Sequence, residues 1–169
     1  MTARLSRRDL MFSLRAPAQQ VRPPWSVSDG IFTEHCSSCG ACIKACAAGL
    51  IVAGRANYPI VDFAQGECTF CGACADACPE PACFDDARSL PAWSVRAAVR
   101  PETCVEMRGV SCRMCEDVCP AAAIAFKPSG GGRRLAQVQD ALCTGCGACR
   151  AVCPVSAIGM VEFAGGVPQ

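Results

Sequence analysis

The chain has few of the residues that build an ordinary core or catalytic site. Of its 169 residues 6% are aromatic, with two Trp and one Tyr, and there is one His. No apolar run approaches the ~18 residues needed to cross a bilayer. The 51% hydrophobic content is swollen by alanine and cysteine, so burial of large side chains gives only a thin core. No constellation of catalytic acid, base and nucleophile stands out, and an enzyme is not expected. The formal charge of +1 marks no strong excess of either sign.

Cysteine is what the chain does have, 17 in all. Small domains short of a core are held by disulfides or metals, and spacing decides which. Sixteen of the cysteines fall into four groups. The first is Cys36, Cys39, Cys42 and Cys46; the second is Cys68, Cys71, Cys74 and Cys78, followed by Pro79. The third, Cys104, Cys112, Cys115 and Cys119, widens its first gap to seven residues and precedes Pro120. Cys143, Cys146, Cys149 and Cys153 form the fourth, before Pro154. Only Cys83 stands outside, and it is expected to be an inert thiol.

Three cysteines at two-residue gaps, with a fourth three residues on and beside proline, make the bacterial ferredoxin pattern for 4Fe–4S clusters. Each closely spaced triplet wraps one cubane, and the fourth thiolate ligates the other cluster of a two-cluster unit. Small residues between the ligands, as at Gly40-Ala41, Gly72-Ala73 and Gly147-Ala148, give a loop the freedom to wind closely around sulfur. Zinc uses paired Cys-x-x-Cys knuckles but does not call for this repeated four-cysteine set. A disulfide scaffold belongs to an exporting context that the sequence does not show. Four 4Fe–4S clusters are therefore expected, with all sixteen grouped cysteines as ligands.

The groups recur every 32 to 39 residues, an internal repeat. A short helix is expected at each Cys-x-x-x-Cys end. Hairpins are expected from 50–52 with 59–63, and from 123–126 with 135–138, and a strand over 93–99. Segment 83–91 looks like loop and a seam. The resulting fold class is α+β, with two tandem ferredoxin-like units of the bacterial two-cluster type, irregular and cluster-stabilised. Its divisions are a basic N-terminal arm over 1–28, a first unit over 29–85 with groups one and two, and a second over 86–169 with groups three and four. Tandem exchange gives the sets Cys36, Cys39, Cys42 with Cys78, then Cys68, Cys71, Cys74 with Cys46, then Cys104, Cys112, Cys115 with Cys153, then Cys143, Cys146, Cys149 with Cys119. A nested arrangement, pairing group one with four and two with three, is the alternative.

Loaded with four oxidised clusters, the chain carries about −7, since metal-bound thiols are deprotonated; a nucleic-acid partner is not expected. Positive charge gathers instead before the first cysteine, at Arg4, Arg7, Arg8, Arg15 and Arg22. Arg7-Arg8 resembles a twin-arginine export motif, but Arg15 and Pro17 interrupt the apolar stretch a signal needs. A cytoplasmic, uncleaved protein is expected, with Arg7 and Arg8 as weak candidates for contact with an acidic partner surface. His35 is read as adventitious beside Cys36. Trp25, Tyr58 and Trp93 are expected to pack over loops, and Arg108 and Arg113 to lie on a solvated one.

Taken in order, these motifs resemble the NapF family, the ferredoxin-type proteins of periplasmic nitrate reductase systems. The resemblance runs through the Arg7-Arg8 pair, Arg22-Pro23-Pro24-Trp25-Ser26, the Glu67-to-Glu80 segment around group two, Cys112-Arg113 to Cys119, and Cys146 through Ile158. It departs at Ala47, where the other three groups have proline. The resemblance implies a cytoplasmic accessory protein that contacts the catalytic subunit NapA before its export and assists its maturation, by assembly or reduction of its iron–sulfur centre. The alternative is a polyferredoxin that carries electrons, alone or as a subunit of another redox complex.

Overall fold

The structure is a computed structural model that describes residues 20–88, 92–132 and 134–163. Arg4, Arg7, Arg8 and Arg15 lie outside the described residues.

Short elements alternate with cysteine loops. In chain order they are α1 (Asp29–His35), α2 (Ala41–Ala45), β1 (Ile51–Ala53), β2 (Pro59–Val61), α3 (Ala73–Asp76), β3 (Val95–Val99), α4 (Met114–Asp117), β4 (Ile124–Pro128), β5 (Arg134–Val138), α5 (Ala148–Ala151) and β6 (Ile158–Glu162). The strands make three antiparallel pairs: β1 with β2, β4 with β5, and β3 with β6.

Both expected hairpins form. Ile51 faces Val61 across the first, and Ile124 faces Val138 across the second. The first turns through Gly54, whose amide donates to the Tyr58 carbonyl at 2.8 Å. Strand β3 starts two residues later than expected, because Trp93 turns its ring into the core before the ladder begins. No sequence expectation covered β6; it forms because β3 offers an unpaired edge, and the pair runs from Val95 opposite Glu162 to Val99 opposite Ile158.

The second unit is thus closed by a sheet of its first and last strands. In the first unit the corresponding segments pair, among the described residues, at one antiparallel bridge between Ser26 and Phe84. Pro23, Pro24 and Pro81 flank that bridge, and proline lacks the amide that a longer ladder requires. The segment before α1 is nevertheless part of the fold. The Val61 amide donates to the Val21 carbonyl at 2.7 Å, and the Trp25 amide to that of Ala92 at 2.7 Å. Arg22 pairs with Asp29 at 2.6 Å and lies over the rings of Phe32 and Tyr58. Residues 20–28 therefore pack onto the first unit, and Arg22 is engaged there.

Sulfur supplies much of the interior. One cluster of buried side chains joins Phe32, Ala75, Cys83 and Phe84, with Cys36 and Cys78 against it. Another joins Ala97, Cys104, Ile124, Phe126, Cys149 and Ile158. Between the units lies a third, built from Leu50, Val61, Phe63, Trp93 and Val95, with Cys46, Cys68 and Met160 on its flanks.

Candidate iron–sulfur sites

Three of the four cysteine loops are built the same way. In groups one, two and four a glycine follows the second cysteine: Gly40, Gly72 and Gly147, with φ of 72°, 79° and 89°. This left-handed residue, which L side chains rarely adopt, stops the loop and launches α2, α3 or α5. Each helix carries the third cysteine in its first turn and ends one or two residues short of the fourth, or against it at Cys46. Group three differs: Arg113 stands at that position with φ of −130°. Its wider loop is pinned instead by Glu106, which is 7% exposed and accepts a hydrogen bond from the Cys112 amide.

Four thiol sets result. Cys46, Cys68, Cys71 and Cys74 line one cavity. A second is lined by Cys104, Cys112, Cys115 and Cys153, and a third by Cys119, Cys143, Cys146 and Cys149. In the remaining set, Cys36 and Cys78 lie close enough to Cys42 for their charges to raise its pKa, and Cys39 stands exposed on the loop between Cys36 and Cys42. The fourth cysteine of each group has crossed to the other set of its own half. This is tandem exchange; the nested arrangement does not match the geometry.

All seventeen cysteines are free thiols, an arrangement unlike a disulfide scaffold. Four thiolates on one zinc converge on a point about 2.3 Å from each sulfur. Among the described residues no three Cys, His, Asp or Glu side chains converge on such a point; the Cys46 set lines a cavity of about 300 Å³, and the Cys104 and Cys143 sets line narrow ones. The donor set suits a multi-atom cubane with one sulfur at each iron corner. Backbone amides point at several sulfurs: Ala123 at Cys119 (3.3 Å), Ala157 at Cys153 (3.1 Å) and Phe70 at Cys68 (3.4 Å). Donors of this kind fix ligand orientation and tune a cluster's potential.

The thiols differ in proton affinity. Burial, and then the neighbouring Cys78 and Cys36, push Cys42 up to about 11. Burial likewise lifts Cys68, Cys74 and Cys115 to about 11 and Cys149 to about 12. The exposed Cys39 and Cys71 lie below the usual thiol value, held down first by the Ala41 and Ala73 amides and next by the Ser37 and Thr69 hydroxyls. With no cation present the buried thiols are protonated at neutral pH, so loading must release protons.

Other residues singled out in the sequence are placed as follows. His35 and Arg108 are exposed. Arg113 pairs with Glu116 at 3.4 Å. Trp25 and Trp93 are buried beside the cysteine loops and both meet Phe70 edge-on. The Tyr58 hydroxyl donates to the Thr33 carbonyl at 3.1 Å. Cys83 is 0% exposed and packed against Cys36 and Cys78. Sequence reasoning missed Glu106, whose one signal was an acid between Val105 and Met107, and Phe63, which had none.

Comparison with known proteins agrees with this layout. Residues 35–83 and residues 108–157 each match a 4Fe–4S dicluster domain family. The second match starts after Cys104, which the structure places with Cys112, Cys115 and Cys153. The ferredoxin-type protein NapF of Escherichia coli (strain K12) is 42% identical over 133 residues, 79% of each chain. NapF of Haemophilus influenzae is 45% identical over 127 residues, 75% of this chain and 70% of that one. The methylamine utilization ferredoxin-type protein MauM of Paracoccus denitrificans is 32% identical over 146 residues, 77% of this chain and 65% of that protein.

Proposed function

This chain belongs to the family of NapF ferredoxin-type proteins, and from that premise we propose that it is a non-enzymatic, cytoplasmic accessory protein that meets a NapA-like nitrate reductase catalytic subunit before export and assists maturation of its iron–sulfur centre. The observation that carries the reading is the 42% identity spread over 79% of both chains, which extends beyond the cysteine motifs alone.

In this reading the sixteen grouped cysteines hold four 4Fe–4S clusters, one per thiol set. The clusters supply one-electron chemistry when bound. The chain's own residues bind and orient: α2, α3, α4 and α5 hold the third and fourth cysteines of each group in fixed relation, and amides such as those of Ala123 and Ala157 hold the sulfurs of Cys119 and Cys153. Arg7 and Arg8 serve as the contact to an acidic surface of the partner.

The test is co-purification of the tagged chain with the catalytic-subunit precursor from cytoplasm, together with nitrate reductase activity and iron loading in a deletion strain. The reading predicts a complex and an under-loaded enzyme. A deletion strain with fully loaded, fully active reductase, and no precursor recovered, would refute it. Likeness to MauM, a ferredoxin-type protein of a different system, supports a second reading, electron transfer to another redox complex. That reading predicts normal reductase loading and a different co-purifying partner.

A further inference from the structure

The two units meet through the cysteine loops themselves. The Cys68 amide donates to the Cys146 carbonyl at 2.8 Å, a direct backbone bond between the second and fourth thiol sets. The surroundings are shaped to permit that approach. A Cβ on Gly147 would run into the Phe63 ring, and one on Gly145 would lie 2.5 Å from Trp93 Nε1. Phe63 belongs to the first unit and packs edge-on against Trp93 with centroids 5.4 Å apart. The Trp93 indole N–H donates to the Thr144 carbonyl at 3.2 Å. Group two carries Phe70 at the position that corresponds to Gly145 in group four, so one loop projects a ring and the other makes room.

Among the described residues no other backbone bond joins a cysteine loop of one unit to one of the other; within the first unit Cys42 packs against Cys74. Cys36 and Cys78 pack against Cys83, Phe32 and Phe84 inside the first unit. Cys104, Cys112 and Cys115 line a cavity within the second, with Cys153, Val99 and Phe126.

We infer that the Cys68–Cys146 contact is an electronic joint, which strings the four thiol sets into one chain in the order Cys36 set, Cys68 set, Cys143 set, Cys104 set, with Phe63 as its positioning residue. The inference rests on the four-cluster reading above. An electron from a low-potential one-electron donor then passes between units by simple exchange of one reduced and one oxidised centre, with no bond broken and no proton moved. Without the joint, the halves would be two separate carriers on one chain.

Spin–spin broadening in electron paramagnetic resonance reports the joint directly. The probe is dithionite reduction of the full chain under anaerobic conditions. In the double variant Cys39→Ser, Cys112→Ser the two outer sets are disabled, at an exposed and a half-buried position. The two remaining clusters sit in different units, and their signals must still be mutually broadened. The complementary variant Cys71→Ser, Cys146→Ser leaves the outer sets, whose signals must be narrow and independent. Narrow signals in the first variant, with two clusters of iron retained, overturn the joint. Should either double variant lose its remaining iron, Phe63→Ala in the full-ligand chain decides: broadening reduced relative to the unaltered protein supports the joint, and unchanged broadening overturns it. Iron analysis of the unaltered protein separates the two claims, since fewer than four clusters there refutes the loading and not the geometry of the contact.

Discussion

Replacing Trp93 tests whether the seam between the units limits how long the clusters survive. The ring is 9% exposed, meets Phe63 at 5.4 Å and Phe70 at 6.0 Å, and its N–H reaches the Thr144 carbonyl at 3.2 Å. Truncating a core aromatic to alanine costs about 3–5 kcal/mol. The lost hydrogen bond accounts for only about 1 kcal/mol of that, so lost packing dominates. Loss of iron–sulfur protein structure is read best as a rate. If the seam opens in the rate-limiting step, a 3 kcal/mol destabilisation speeds cluster loss by about a hundredfold. The assay is anaerobic bleaching of the visible cluster absorbance in guanidinium chloride. Trp93→Ala should accelerate bleaching at least tenfold. Trp93→Phe keeps the ring contacts, loses the N–H, and should accelerate it about fivefold. Leu142→Ala, at a side chain 47% exposed, should stay within about twofold, as surface changes do. Bleaching of Trp93→Ala at the Leu142→Ala rate would refute the claim that the seam is structural.

Three further outcomes follow from the same geometry. Glu106→Gln should keep the acceptor for the Cys112 amide, remove a charge beside one cluster and raise one potential in a redox titration, because net charge near a cluster sets its potential; four unchanged potentials would count against it. Any residual fold of the iron-free chain should weaken with alkali. The thiols raised to about 11 in the fold ionise nearer 9 when unfolded, so the contribution is complete below pH 9 and lost as pH climbs through 11; circular dichroism against pH checks this, and a fold that strengthens between pH 9 and 11 contradicts it. Arg7→Ala with Arg8→Ala should weaken capture of the precursor, and raised salt should do the same in the parent, since exposed charges are screened beyond ~8 Å at physiological ionic strength. Unchanged capture at both salt levels would remove the arginine pair from the interface.

The four cysteine groups and both hairpins were legible because cysteine spacing and turn chemistry are local signals. Gly40, Gly72 and Gly147 mark the loops by their neighbours alone, and Gly54 marks the first hairpin. The partner of each fourth cysteine was not legible, since tandem and nested exchange use the same spacings and differ only in which loops come together. Strand β6 was invisible for a related reason: Gly159 breaks its pattern, and only the edge of β3, some sixty residues earlier, makes it a strand. The contact of Phe63 with Gly147 likewise joins residues whose own surroundings announce nothing. The segment holding Arg22 read as part of a basic arm because charge was counted without partners. Asp29, Phe32 and Tyr58 supply those partners only once the chain is folded.

The proposed load is one 4Fe–4S cluster in each of the four thiol sets. Native mass spectrometry of the anaerobically purified chain measures it directly. A mass excess of four such clusters is expected, with iron and sulfide in equal amounts and no zinc. A mass excess of two clusters, or zinc in their place, would contradict it.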